Sequence, residues 1–315
     1  MSAPPIAVRH RYDGSRGGTM TDGGGDPLTE QFETHRPRLR AVAYRMLGSL
    51  SEADDAVQDA WLRLTRADRA DVANLPGWLT TVVARICLDM LRARRARRED
   101  QFGVHLPEPL VSREDTTDPE QEVLLADAVG LALLVVLDTL TPAERIAFVL
   151  HDLFGVPFDE VGRVVQRSPA AATQLASRAR RRVRGAGAAS DVDRARQREL
   201  VDAFQAAARD GDLDRLLAVL DPEVVLRADG GNRLGASGEV RGARAVAAQV
   251  STFAPMAPFG RPALVNGAPG IVVVPTGMTP SAILGFVVRA GRITEIDVFA
   301  DPDRLRRLDL TALLR

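Results

Sequence analysis

The spacing of apolar residues changes character once along this chain, near residue 196, and that change fixes its architecture. Before it, apolar residues recur three and four apart, the period of helices with one buried stripe. After it, one or two helices over Leu200–Leu220 give way to alternating or continuous apolar runs at Val224–Ala228, Ile271–Val274, Ile283–Arg289 and Ile293–Phe299. These read as strands, with Ala290-Gly291 as a hairpin turn between the last two. Helices first and antiparallel strands later predict an α+β domain over 196–305. A length of 315 residues accommodates this domain and two helical ones before it.

The first helical block spans 28–98. Phe32, Leu39, Val42, Ala43 and Met46 fall on one face of a first helix, Pro37 is awkward inside it, and Gly48 stops it. Ser51 with Asp54 three positions on reads as the start of a second helix. That helix carries Ala53, Val57, Ala60, Trp61 and Leu64 on one face and Glu52, Asp55, Gln58 and Asp59 on the other. A third helix begins near Pro76 and runs into an arginine cluster. Residues 99–118, with Pro107 and Pro109, read as an extended linker. The 1–27 extension reads as disordered, with Met20 as an alternative start, and 306–315 as a tail.

Thr141-Pro142-Ala143-Glu144 opens the second helical block (119–185) with a cap, a proline at the first helical position and a capping-box acid. Helices at about 142–152 and 157–165 precede Gln166-Arg167-Ser168, and Ser168-Pro169 opens a last helix through Arg184. Two short helices about a tight turn, the second ending in arginines, form a helix-turn-helix pattern.

Net charge is -1, which does not announce a polyanion binder. Its distribution does. Six arginines and one acid lie between Arg85 and Arg98, and seven arginines with no acid between Val161 and Ser190. Two separated basic stripes predict two nucleic-acid surfaces. On the last helix, Thr173, Gln174, Ser177 and Arg178 are placed to reach base edges, and Arg181, Arg182 and Arg184 to lie against phosphates. Ala170, Ala171, Ala172 and Leu175 read as packing residues. The single cysteine, Cys87, forbids an internal disulfide and reads as core. His35, His105 and His151 lack metal-ligand spacing. No metal, cofactor or catalytic residue is assigned. No apolar run approaches a membrane span and no signal-peptide pattern opens the chain, so a cytoplasmic location is expected.

Phe32 through Leu47, followed by Glu52-Ala-Asp-Asp-Ala-Val-Gln-Asp-Ala-Trp-Leu-Arg-Leu64, resembles the N-terminal domain of extracytoplasmic-function RNA polymerase sigma factors. The resemblance implies that Asp54, Asp55, Gln58 and Asp59 dock on the β′ clamp helices of core polymerase, and that the helix-turn-helix domain meets the β flap. Pro76-Gly-Trp-Leu-Thr-Thr-Val-Val-Ala-Arg85 resembles the promoter-melting, minus-ten-reading segment. A flipped base would enter a pocket at Asp71–Leu75. Arg85, Arg92, Arg94, Arg95, Arg97 and Arg98 would track promoter DNA. Ile86 stands where the family usually has Asn. Trp61 and Trp78 read as core.

Three further motifs resemble the group of these factors that carries a fused SnoaL-like C-terminal domain, a cone-shaped α+β fold with a central pocket. The linker motif W-L-P-E-P is His105-Leu106-Pro107-Glu108-Pro109 here. D-G-G-G-K is Asp229-Gly230-Gly231-Asn232-Arg233. N-P-D-K-L is Asp301-Pro302-Asp303-Arg304-Leu305. The fold expected is two all-α sigma domains followed by an α+β cone. The resemblance implies that the three motifs make regulatory contacts between domains, and that the linker passes near the polymerase active-site cleft. Asp229, Glu239, Glu295 and Asp297 are the acids a catalytic pocket could use, but the strands' Val, Ile, Leu and Ala predict an apolar cavity and a non-enzyme. A small-molecule ligand there is a second reading, and an anti-sigma partner is not legible. The alternative function is a ligand-responsive helix-turn-helix regulator that never joins polymerase.

Overall fold

The computed structural model describes residues 27–67, 74–98, 104–113, 130–186, 193–231, 237–277, 279–308 and 310. The expected disorder of 1–26, the base pocket at Asp71–Ala73, and Asn232-Arg233 lie outside them.

Helices α1 (Pro27–Leu47), α2 (Leu50–Leu64) and α3 (Leu75–Arg98) form the first block. Phe32, Leu39, Val42, Ala43 and Met46 are buried, and Pro37 is carried inside α1. Gly48 ends α1 at φ +69°, the left-handed conformation glycine adopts without strain. Helix α2 begins two residues earlier than its sequence suggests. Ser49, in extended conformation, accepts from the Glu52 N–H, so the Ser-x-x-Glu pair set back from Ser51 is the real cap. Trp61 and Trp78 pack on the edge of this core, and Cys87 is fully buried.

The second block is α4 (Leu131–Asp138), α5 (Pro142–Phe148, extended by a wide turn over Val149–Leu153), α6 (Phe158–Val165) and α7 (Pro169–Ala186). The Thr141–Glu144 capping box forms as its residues dictate. The α6–α7 turn passes through Gln166 in left-handed conformation. Ala172 is buried and Leu175 packs on the core as expected, with Ala176 and Ala179 beside them, whereas Ala170 is exposed and Ala171 half-exposed. Both blocks contribute to one continuous core, in which α3 packs on α5 and α6.

The last domain begins with α8 (Arg194–Asp210) and α9 (Leu213–Val219). Then come β2 (Leu220–Asp229), β3 (Gly238–Arg241), α10 (Ala243–Thr252), β4 (Gly260–Val265), β5 (Ala268–Val273), β6 (Ala282–Arg289), β7 (Arg292–Phe299) and α11 (Pro302–Leu305). With β1 (Val111–Ser112) included, the strand order is β1-β4-β5-β6-β7-β2-β3; among these pairs only β2–β7 is parallel. Strands β3 and β4 are additions to the four read from sequence. The edge strand β1 is Val111–Ser112, supplied by the linker. The sheet uses both faces. Leu226, Ile271, Phe286, Val288 and Ile296 meet α8, α9 and α10 in the domain's own core. The opposite face, with Val265, Val272, Ile283 and Phe299, packs on Leu106 and Val111 of the linker and Leu131 of α4. Leu310 joins this second cluster, so at least that part of the expected tail is core.

Candidate functional site

Of the segment that sequence reads as a spacer, residues 104–113 are described, and they are bound on both sides. This stretch is extended, as its prolines require, but Leu106, Pro107, Glu108, Pro109 and Leu110 are all buried. The three motifs do converge on one another. Asp229, at the end of β2, is 2 % exposed, and its Oδ2 accepts from the Leu106 N–H at 2.8 Å and from Arg304 Nη1 at 2.8 Å. Arg304 Nη2 donates to the Leu106 carbonyl at 2.8 Å, and Arg304 Nε lies 3.7 Å from Glu108 Oε1. The Arg304 guanidinium also stacks over Phe299, 4.6 Å from the ring centroid. His105, standing in the Trp position, is exposed, with Nδ1 3.5 Å from Asp229.

Local structure holds these groups in place. Asp301 caps α11 by accepting from the Asp303 and Arg304 N–H groups, with Pro302 at the first helical position. That cap aims Arg304 inward. Gly231 has φ +69°, and a Cβ there would come within 2.7 Å of the Asp301 carboxyl, so glycine is required twice over. Gly230 is buried and donates its N–H to Ser237.

A second set of contacts joins the linker to the first helical block. Glu108 N–H donates to the Gly48 carbonyl at 2.7 Å, and Glu108 Oε2 accepts from the Leu50 N–H at 2.9 Å. The carboxylate therefore sits on the N-terminus of α2, where the helix dipole favours negative charge. The Tyr44 hydroxyl donates to the Glu108 carbonyl at 2.7 Å and accepts from Asn266 Nδ2 at 3.0 Å. Burial raises the pKa of this phenol, opposed by the Asn266 bond. Asn266 completes the joint: its Oδ1 accepts from the Leu110 N–H and its own N–H donates to the Leu110 carbonyl. Tyr44 and Asn266 carry no motif and were missed by sequence reasoning. Asn266-Gly267 is nonetheless a strong hairpin dipeptide, and both residues take positive φ between β4 and β5.

The acids of the C-terminal domain do not line a catalytic pocket inside the cone. Glu239, Glu295 and Asp297 share the sheet face turned toward the sigma blocks, and surround Arg227 at 3.5, 2.7 and 3.2 Å. Burial pushes the Asp297 carboxyl up to about 6, opposed by Arg227 and assisted by Glu295. The face turned to the domain's helices is apolar.

On α2, Asp54, Asp55, Gln58 and Asp59 are all exposed, with Asp54 in a two-pronged pair with Arg40 at 2.6 and 3.1 Å. Leu62 continues this face and is 42 % exposed. On α3, Arg85, Arg92 and Arg95 are exposed; Arg85 lies 3.4 Å from the Arg163 carbonyl of α6, and Arg92 is 3.6 Å from Asp89. Arg94 corrects the sequence reading. It is half-buried, donates to the Leu47 carbonyl at 2.9 Å and pairs with Glu52, tying α3 to α2. The Arg97 and Arg98 side chains lie outside the described residues. On α7, Thr173, Gln174, Arg178, Arg181 and Arg184 are exposed, and Ser177 is half-buried. Arg182 is exposed as well, and pairs at 3.1 Å with the buried Glu144. Gly162 lets the turn close: a Cβ there would meet the Arg167 carbonyl at 2.7 Å.

This arrangement, an acidic-faced helical block and a helix-turn-helix block sharing one core, is that of a sigma factor, and the chain belongs to the extracytoplasmic-function RNA polymerase sigma factors. Residues 31–97 match the model of Sigma-70 region 2 and residues 130–183 that of Sigma-70 region 4. The chain is 41 % identical over 290 residues to the sigma factor SigJ of Mycobacterium tuberculosis, covering 87 % of this chain and 92 % of that protein. It is 35 % identical to the probable sigma factor SigI of the same species, covering 89 % and 95 %. The crystal structure of M. tuberculosis SigJ superposes with a TM-score of 0.73 at 38 % identity, covering 90 % of this chain and 99 % of that one. The likeness extends through the C-terminal α+β domain. No helix among the described residues is long and apolar enough to cross a membrane.

Proposed function

We propose that this sigma factor engages core polymerase through the exposed acidic face of α2, reads promoter DNA with α3 and α7, and is held in check by its own C-terminal domain. The carrying observation is the burial of the linker between region 2 and that domain. Minus-ten and minus-thirty-five elements lie about 25 base pairs apart, roughly 85 Å along B-DNA. Regions 2 and 4 sharing one core cannot span that distance, so the α3 contacts with α5 and α6 must break on a promoter. The linker ties both to the C-terminal domain, and the bonds of Asp229, Asn266 and Arg304 set how readily they part.

Two sets of full-length variants test this reading. Asp55→Arg with Asp59→Arg should weaken co-purification with core polymerase about tenfold or more without loss of helicity. Arg304→Ala with Asn266→Ala should raise promoter-dependent run-off transcription at limiting factor. Unchanged core binding overturns the docking surface, and unchanged output overturns the restraint.

A further inference from the structure

We infer that the C-terminal domain is a peptide-recognition module, with a groove for an extended Leu-Pro-Glu-Pro-Leu-Val segment, filled here in cis and able to take the same segment from a second copy of this chain. The groove reads backbone. Asp229 and Arg304 bind the N–H and carbonyl of Leu106; Asn266 binds the N–H and carbonyl of Leu110. Val111 and Ser112 then pair antiparallel with Val265 and Leu264 at the open edge of the sheet. This is strand addition preceded by side-chain clamps, the way sheet edges take peptides in trans.

The segment suits that mode. Pro107 and Pro109 have no N–H to leave unsatisfied, and they hold the backbone extended at little entropic cost. Leu106 and Val111 enter the apolar cluster formed by Ala263, Val265, Ile283, Phe299 and Leu305. Two of the reading side chains, Asp229 and Asn266, are 2 % and 3 % exposed, so the site is built rather than incidental. The Asn266 side chain bonds to Leu110 and Tyr44, both outside its own domain.

The inference rests on the reading that the linker leaves this groove when regions 2 and 4 separate; its test involves no polymerase, so the two can fail independently. A fluorescent peptide of residues 104–113 is titrated into the full-length chain and into the Leu106→Ala/Val111→Ala variant, whose own segment is weakened. Saturable binding is expected in the variant, at least about tenfold tighter than in the unaltered chain, where the tethered segment competes. Adding Asn266→Ala to the variant should weaken binding about tenfold. Equal affinity for both chains, indifference to Asn266, or equal binding of a scrambled peptide would overturn the module. Should the variant fail to fold, excess peptide is added to the unaltered chain and followed by hydrogen exchange. The Leu106 and Leu110 amides should lose protection as their segment is displaced, and protection unchanged at saturating peptide would overturn the proposal.

Discussion

Arg304 is where the junction converges: one guanidinium meets Asp229, the Leu106 carbonyl, Glu108 and the Phe299 ring. Removing one member of a buried pair costs far more than the pair is worth, because the partner is left charged in a poor solvent. Arg304→Ala should destabilise the protein by roughly 3 kcal/mol, read by urea unfolding. Tyr44 and Asn266 test the joint between the first and last domains. A double-mutant cycle with Tyr44→Phe and Asn266→Ala should give a coupling energy of about 1 kcal/mol, whereas additive losses would show that the bond transmits nothing. Asp297 makes the pH prediction. Its folded-state pKa of about 6 lies above the ordinary aspartate value. Folding therefore binds a proton between about pH 4 and 6, and the stability Asp297 contributes falls as pH rises through that window. Relative to Asp297→Asn, the unaltered chain should lose on the order of 2 kcal/mol between pH 4 and 7. A flat difference would mean that the carboxyl is solvated.

At the scale of elements, the helix-turn-helix makes the sharpest demand. Gly162→Val would drive a side chain into the Arg167 carbonyl, open the α6–α7 angle and abolish promoter binding while leaving α1–α3 helical by circular dichroism. On α7 itself, Arg181→Ala should weaken all DNA sequences alike and lower the salt slope by about one, whereas Gln174→Ala should alter sequence preference. These elements were legible in the sequence because local rules wrote them: the Thr141–Glu144 box, the apolar run of β6 and the alternation in β7, the acids of α2. What was not legible depended on partners far along the chain. Arg94 looks like its neighbours in a basic run, and only the fold shows it turned to Glu52 and Leu47. Residues 111–112 are too short for a strand signal and become one because β4 offers an edge. Strand β3 shows no apolar alternation that would mark it. Asp229 and the Asp301–Leu305 segment could be named as contacts from motif resemblance, but Tyr44 sits in an ordinary helical stripe.

The whole molecule is one sheet with two clients. One face is closed by α8, α9 and α10, and the other face and one edge are closed by sigma-factor residues. Weakening the second set should therefore open the molecule without unfolding the first. Solution scattering of Arg304→Ala/Asn266→Ala is expected to show a larger radius of gyration at unchanged circular dichroism, and an unchanged radius would mean that the shared core of regions 2 and 4 alone keeps the chain closed. The tether has a further result. A restraint carried on a separate protein is titrated: make more sigma factor than inhibitor and the excess is free. On the proposed reading, restraint and restrained are synthesised in one-to-one ratio on the same ribosome, so extra expression never makes a sigma factor without its own restraint, even where copies exchange linkers.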